Sequence, residues 1–237
     1  MLYGKRILVI VPARGGSKGV KLKNIRPLNG ISLVAIVGRL VRQLDYIDRA
    51  VVSTDHLDIA RIARESGLDV PFMRPESISG DMVSDWDVLY HALMATEEDD
   101  GETYDIIIML QPTSPFREPE HVTATVKKLI EGNFDSVWTI SETDSKSHPS
   151  KQLILNGEIV EYYDPENGPK IVARQQLSPV YHVNGLAYAF NRECLVNQKT
   201  RKGKKTSAVV INKSIVNIDT ELDFKLAEIL MEKVLHE

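Results

Sequence analysis

The 237-residue chain is short of the residues that staple folds and hold soft metals. Its single cysteine, Cys194, allows no intrachain disulfide and no multi-cysteine zinc or iron–sulfur site. No apolar run approaches the roughly 20 residues that would span a bilayer. The first such run, Ile7 to Val11, is one strand long and leads into Pro12 and charged residues, so it does not read as a secretory leader. A basic excess is missing too. Twenty-nine Lys and Arg face 33 Asp and Glu, a net charge of −4, which argues against a polyphosphate backbone as partner. Neither G-x-x-x-x-G-K-[ST] nor G-x-G-x-x-G is present. The expectation is a soluble cytoplasmic protein with no nucleic acid or membrane partner, whose core is held by apolar burial alone.

What is present is an alternation of strand and helix signals. Ile7–Val11 is a continuous apolar run, as a strand covered on both faces requires, and Asp105–Leu110 (DIIIML) is the strongest buried-strand candidate. Ala50–Ser53 and Ser136–Ile140 read as further strands. Leu33, Ile36, Val37, Leu40, Val41 and Leu44 recur at helical spacing within 31–44. Asp55 can cap a second helix, Ser84 with Asp87 a third, and Pro119 can open a fourth. Glu97–Asp100 with Gly101 reads as a helix stop and a solvated turn. The repeating order predicts an α/β fold: a mostly parallel sheet with helices on both faces. From about 141 to 186 the chain turns polar and rich in Pro, Asn and Gly. Gln152–Leu155 and Glu158–Tyr162 flank Asn156-Gly157, a hairpin signal. This stretch is expected as an excursion within one domain spanning 1–237. Strand character returns at 186–190 and 208–211, and a last helix covers about 220–235.

In such sheets ligands lie beyond the carboxyl ends of the strands. The loop after the first strand, Pro12-Ala13-Arg14-Gly15-Gly16-Ser17-Lys18-Gly19-Val20-Lys21-Leu22-Lys23-Asn24, combines three glycines with four cations. Glycines let backbone N–H groups approach an anion, and several cations at once suit a triphosphate. A flexible, solvated basic loop is the competing reading. After the Asp105–Leu110 strand comes Gln111-Pro112-Thr113-Ser114-Pro115-Phe116-Arg117, a stiff turn presenting an amide and two hydroxyls to a sugar or base. Near the end, Asn217-Ile218-Asp219-Thr220-Glu221-Leu222-Asp223 alternates polar with apolar positions. Asn217 and Asp219 are thus candidate ligands for a hard cation, with helix capping as the alternative.

Together the three segments resemble the acylneuraminate cytidylyltransferases, or CMP-sialic acid synthetases, along essentially the whole chain. Arg74-Pro75-Glu76 with Gly80-Asp81 and Ser84, Arg174-Gln175-Gln176-Leu177, and Asn184-Gly185-Leu186-Ala187-Tyr188 extend the likeness. The resemblance implies a Rossmann-like nucleotidyltransferase. In the implied reaction the anomeric hydroxyl of a 3-deoxy-ulosonic acid attacks the α-phosphorus of CTP, giving a CMP-sugar and pyrophosphate. It places Arg14, Lys18 and Lys23 on the triphosphate, and Ala13, Gly16, Ser17, Asn24, Arg74 and Ser84 around the nucleotide. Gln111, Arg174, His182 and Tyr188 would line the sugar pocket. Asp219, with Asn217, would hold Mg2+, for which Mn2+ can substitute. Many relatives carry a carboxylate where Asn217 stands, so a looser metal site is implied here. His182 occupies a stretch where relatives acting on N-acetylneuraminate often have Arg. It is similar to legionaminate-type members, and a packed, hydrogen-bonded histidine is equally open. A homodimer using the 141–186 excursion, with Tyr162 and Tyr163, is implied by the same resemblance. Two alternatives stay beside the main reading: the same reaction on legionaminic or another 3-deoxy-ulosonic acid, and a non-catalytic nucleotide- or sugar-binding relative. Trp86 and Trp138 are expected to pack, Cys194 to be a structural thiol, and the basic residues of 199–205 to form a solvated loop.

Overall fold

The structure, a computed structural model, describes residues 1–213 and 215–236. The described residues divide into two compact units: 1–139, 184–209 and 215–236 form the first, and 140–183 with 210–213 the second.

The first unit is built on β1 (Ile7–Pro12), α1 (Leu33–Val41), β4 (Arg49–Ser53), α2 (Leu57–Glu65), α3 (Asp85–Asp100), β5 (Ile106–Met109) and α4 (Pro119–Glu131). A small hairpin, β2 (Pro27–Leu28) and β3 (Ile31–Ser32), follows β1. The strands of the sheet lie in the order β10-β6-β9-β5-β1-β4, with β6 Ser136–Glu142, β9 Tyr181–Asn191 and β10 Thr206–Val210. β1 pairs in parallel with both β4 and β5, while β9 runs antiparallel to β5. The period of two decides the layering. Ile7, Val9 and Val11 of β1 face α1, α2 and α4; Leu8 and Ile10 face α3 and the short α5 (Arg192–Val196). The chain leaves β1 for β4 on one side and returns to β5 on the other. The carboxyl ends of β1 and β5 therefore border the crevice where the strand order reverses.

Several local expectations shift. The first helix begins at Leu33, because Ile31 and Ser32 belong to the hairpin and Ser32 caps the helix by accepting from Ala35 N–H. The hairpin turn is Asn29-Gly30, both at positive φ, as a type I′ turn demands. α2 is capped by His56 rather than Asp55, whose carboxylate accepts the Gly15 N–H at 2.8 Å instead. The acidic end of α3 is ion-paired rather than only solvated: Arg49 meets Asp99 at 2.8 Å and Asp100 at 2.6 Å, and Arg192 meets Glu97. Ser84 caps α3 by accepting the Asp87 N–H, and Pro119 opens α4. Cys194 is fully buried. Trp86 stacks on Tyr90 and donates to the Leu195 carbonyl.

In the second unit, β7 (Leu153–Asn156) and β8 (Ile159–Tyr162) form a hairpin. Its turn falls on Gly157-Glu158, one residue later than the Asn-Gly signal. Asn156 pairs with Ile159 and spends its amide on the Glu161 carboxylate. The Thr143 N–H donates to the Val180 carbonyl, and His148 bonds the Ser178 carbonyl.

Candidate active site

The site is assembled by an apolar contact. Val20 is fully buried within the otherwise polar loop after β1. It clusters with Leu28, Leu33, Ile218, Phe224 and Ala227, so the loop is pinned to the start of α6 (Glu221–His236). The approach is close. A Cβ on Gly19 would stand 2.0 Å from the Asp219 carbonyl oxygen, so only glycine fits there. Lys23 Nζ donates to the Ile218 carbonyl at 2.6 Å and to the Asp219 carboxylate at 3.0 Å. Arg26 grips both Glu221 oxygens and lies 4.0 Å over the Phe224 ring.

A cleft of about 380 Å3 opens here, lined by Arg14, Ser17, Lys18, Lys23, Asn24, Arg74, Gln111 and Asp219. Lys18 and Asp219 thus share one cavity. Asn24 is 5 % exposed and donates its amide to the Arg14 carbonyl, which fixes the loop beneath the cations. Arg14 and Lys18 converge on Asp81 at 2.8 and 2.5 Å. Hydrogen bonds from Lys18 and then Arg14 hold the Asp81 carboxyl below the usual carboxylate range. Arg74 is buried, donating from Nε to Ser53 Oγ at 2.9 Å and from Nη2 to the Ser53 carbonyl. Burial pulls its guanidinium down to about 10. At this value it remains a cation near neutral pH.

Other residues singled out by sequence sit elsewhere. Ala13 is fully buried and donates its N–H to the Ser53 carbonyl; Gly16 is exposed with open space around it. Ser84 is engaged as the α3 cap. Tyr188 is 5 % exposed, edge-to-face with Trp138 at 6.0 Å, in the core layer under α3. Asn217 does not accompany Asp219 into the cleft. Its Oδ1 accepts from Ser114 Oγ at 2.5 Å and its Nδ2 donates to the Asn184 carbonyl at 3.0 Å, beside Gly185 at φ +75°. In the second unit, Arg174 is exposed on a short 3-10 turn, and His182 is exposed with Nδ1 3.1 Å from Thr143 Oγ1.

Three elements of the site have no single-residue signal. Arg117 is a buried brace whose Nε donates to the Leu186 carbonyl and whose Nη2 donates to the carbonyls of Gln111 at 2.6 Å and Gly185 at 3.2 Å. Burial pulls it down to about 9. Asp81 supplies the anion that the cradle holds, and Asp85, at the start of α3, lines the same cavity.

The family described as cytidylyltransferase matches residues 8–226. The chain belongs to the cytidylyltransferase family. This cytidylyltransferase is 31% identical over 229 residues to the CMP-N,N'-diacetyllegionaminic acid synthase of Legionella pneumophila, covering 96% of this chain and 97% of that one. It is 29% identical to post-translational flagellin modification protein B of Campylobacter coli, covering 96% and 95%. It is equally 29% identical to the N-acylneuraminate cytidylyltransferase of Escherichia coli, covering 96% of this chain and 52% of that longer one. Among solved structures, a CMP:2-keto-3-deoxy-manno-octonic acid synthetase complexed with CTP superposes with a TM-score of 0.69 at 16% identity, over 96% of this chain and 99% of that one. That last likeness establishes a shared fold.

The donor set suits a hard divalent cation of the kind that is shared with a substrate. Mg2+ commonly takes one or two carboxylates and completes its shell with phosphates and water. Asp219, 76 % exposed along its side chain and lining a cationic cleft, fits that mode. Among the described residues no three His, Cys, Asp or Glu side chains gather into an all-protein cage. Asn217 is committed to Ser114 and Asn184.

Proposed function

We propose that this enzyme transfers the cytidylyl group of CTP to the anomeric hydroxyl of an acidic nine-carbon 3-deoxy-ulosonic sugar. The observation that carries this reading is the shared cleft of Lys18 and Asp219, floored by the carboxyl ends of β1 and β5. The hydroxyl oxygen bonds to the α-phosphorus of CTP, the bond from that phosphorus to the β-phosphate bridging oxygen breaks, and pyrophosphate leaves; the hydroxyl proton is lost to solvent. Such transfers depend on alignment and on neutralising charge at the departing phosphates. Arg14 and Lys18 exchange Asp81 for phosphate oxygens, and Lys23 is held ready beside Asp219. Buried Arg74 orients the nucleotide side, and Gln111 faces the acceptor sugar. Mg2+ on Asp219 supplies charge compensation to the phosphates when bound.

Among acids, legionaminic acid heads the panel. The relatives named for it match over nearly their whole length, whereas the N-acylneuraminate cytidylyltransferases from Escherichia coli and fish are about twice as long. Incubation with CTP, Mg2+ and legionaminic, sialic, pseudaminic or octulosonic acid, followed by pyrophosphate, tests the reading. No release with any acid refutes it, and tight CTP binding without turnover would favour a non-catalytic relative. Asp219→Asn should abolish Mg2+-dependent turnover while the chain stays folded; activity at the wild-type metal dependence would remove Asp219 as ligand.

The same reading assigns the second unit to a homodimer. Leu155, Ile159, Val160 and Val172 are 68, 66, 60 and 91 % exposed there, an apolar display that a second copy would cover. Light scattering should give twice the 26.6 kDa chain mass, and Leu155→Glu with Val160→Glu should halve it. Among the described residues no helix is long and apolar enough to cross a membrane. A CTP-consuming reaction of this kind belongs in the cytoplasm.

A further inference from the structure

The proposed acceptor is itself an anion, and it must approach a bound triphosphate. Like charges brought close together in a cleft shielded from bulk water repel. An acidic sugar therefore needs a cation that the nucleotide does not consume. The cations of the cleft are largely spoken for. Arg14 and Lys18 sit on Asp81, and Lys23 sits on Asp219 and the Ile218 carbonyl. Arg74 and Arg117 are buried, with guanidinium donors turned to Ser53 and to the carbonyls of Leu186, Gln111 and Gly185.

One further guanidinium reaches the cleft wall from the basic stretch that follows α5. Arg201 Nη1 lies 2.6 Å from the carboxylate of Asp85, and Asp85 lines the cleft. Lys205, in the same stretch, is engaged elsewhere: its Nζ donates to the Gly132 carbonyl and lies 4.8 Å over the Phe134 ring. Arg201 is half-buried, 33 % exposed along its side chain, so it is placed but not sealed. The Tyr188 hydroxyl lies in the field of both Arg201 and Asp85.

We propose that Arg201 is the carboxylate anchor for the acidic sugar, occupied by Asp85 until the substrate arrives. The planar fork of a guanidinium binds a carboxylate through two parallel N–H···O bonds, which fixes direction as well as charge. Asp85 lines the same cleft as Lys18 and Asp219, so an acid anchored at the start of α3 brings its anomeric carbon, which bears the carboxyl group, into the cavity that receives the phosphates. The residue acts on the acceptor and not on CTP.

This inference rests on the acceptor reading above, and its experiment separates the two. Steady-state kinetics of wild type, Arg201→Ala and Arg201→Lys are measured with the acid that the panel identifies and with its C1 amide. Thermal melts run alongside, with equilibrium binding of the acid in the presence of a non-hydrolysable CTP analogue. Arg201→Ala should raise KM for the acid at least tenfold and weaken its equilibrium binding to the same extent, leaving KM for CTP unchanged. Arg201→Lys should recover part of that loss, and discrimination between acid and amide should collapse in Arg201→Ala alone. Unchanged KM for the acid in Arg201→Ala overturns the inference while leaving the acceptor reading intact. So does an equal rise in both KM values with a lowered melting temperature, which would mark the Arg201–Asp85 pair as a structural tie. If the wild type turns over no acid at all, it is the acceptor reading that falls.

Discussion

Replacing Gly19 by alanine tests the central geometry with one methyl group. The added Cβ would meet the Asp219 carbonyl oxygen at 2.0 Å, and the obstacle is backbone, which cannot rotate aside. Ordinary contact begins at 3.4 Å, so the basic loop and the C-terminal segment must separate by more than about 1 Å. The Lys23 bonds to Ile218 and Asp219, 2.6 and 3.0 Å long, span that same seam and would open with it. A misplacement of about 1 Å in groups that position a reacting centre costs on the order of 10²-fold in rate, equivalent to about 2.7 kcal/mol of barrier. The fold should survive. Overpacking of this kind costs about 1–3 kcal/mol, or up to about 12 °C in Tm for a chain of this size. The assay is pyrophosphate release against CTP and Mg2+ concentration, paired with a circular-dichroism melt. Gly19→Ala should be folded, about a hundredfold slower, and displaced in its Mg2+ midpoint. Wild-type rates at a wild-type Mg2+ midpoint would show that the loop and Asp219 need not touch for catalysis, and the argument from the shared cleft would fail.

Asp81→Asn should lower KM for CTP, because a neutral amide no longer competes for Arg14 and Lys18; a raised KM would mean that Asp81 helps to hold the nucleotide. Gly185→Ala puts a left-handed backbone at φ +75° on a residue with a Cβ that would lie 2.7 Å from Ser114 Oγ. The backbone alone costs at least about 1 kcal/mol, so Tm should fall by about 2–4 °C or more; an unchanged Tm would remove this turn as a constraint. Burial pushes the Cys194 thiol from 9.0 up to about 11, so between those pH values the unfolded chain releases the proton that the folded chain keeps. Stability is full below about pH 9 and falls by about 2–3 kcal/mol as pH rises through 11; urea melts of Cys194→Ala should lose this component, and equal slopes in both proteins would refute it.

The sheet was legible because burial writes itself into local pattern. Ile7–Val11 and Ile106–Leu110 are apolar without interruption since β1 and β5 are covered on both faces, and helix stripes such as Val122, Val126 and Leu129 face inward as their spacing requires. The basic loop and Asp219 were legible as chemistry. What brings them together was less so: Val20 is one apolar residue among glycines and lysines, and its partners Ile218 and Phe224 lie some two hundred positions away. Partner choice was the common failing. Asp55 looks like a cap until Gly15 N–H claims it, and Asn217 looks like a ligand until Ser114 and Asn184 occupy both ends of its amide. The run Glu97–Asp100 looks solvated until Arg49 and Arg192 arrive from distant segments. The Asn29-Gly30 hairpin joins strands of only two residues each, too short for an alternating pattern to show.

The seam between Lys23 and Asp219 joins positions 196 apart in the chain. Contacts of such long range form only after the intervening loop has been closed, and they close late. On the ribosome Lys23 would emerge early and wait until the segment around Asp219, 196 positions later, had been made. Catalytic competence thus waits on the segment around Asp219: a nascent chain stalled before that residue would carry the cationic cradle yet consume no CTP.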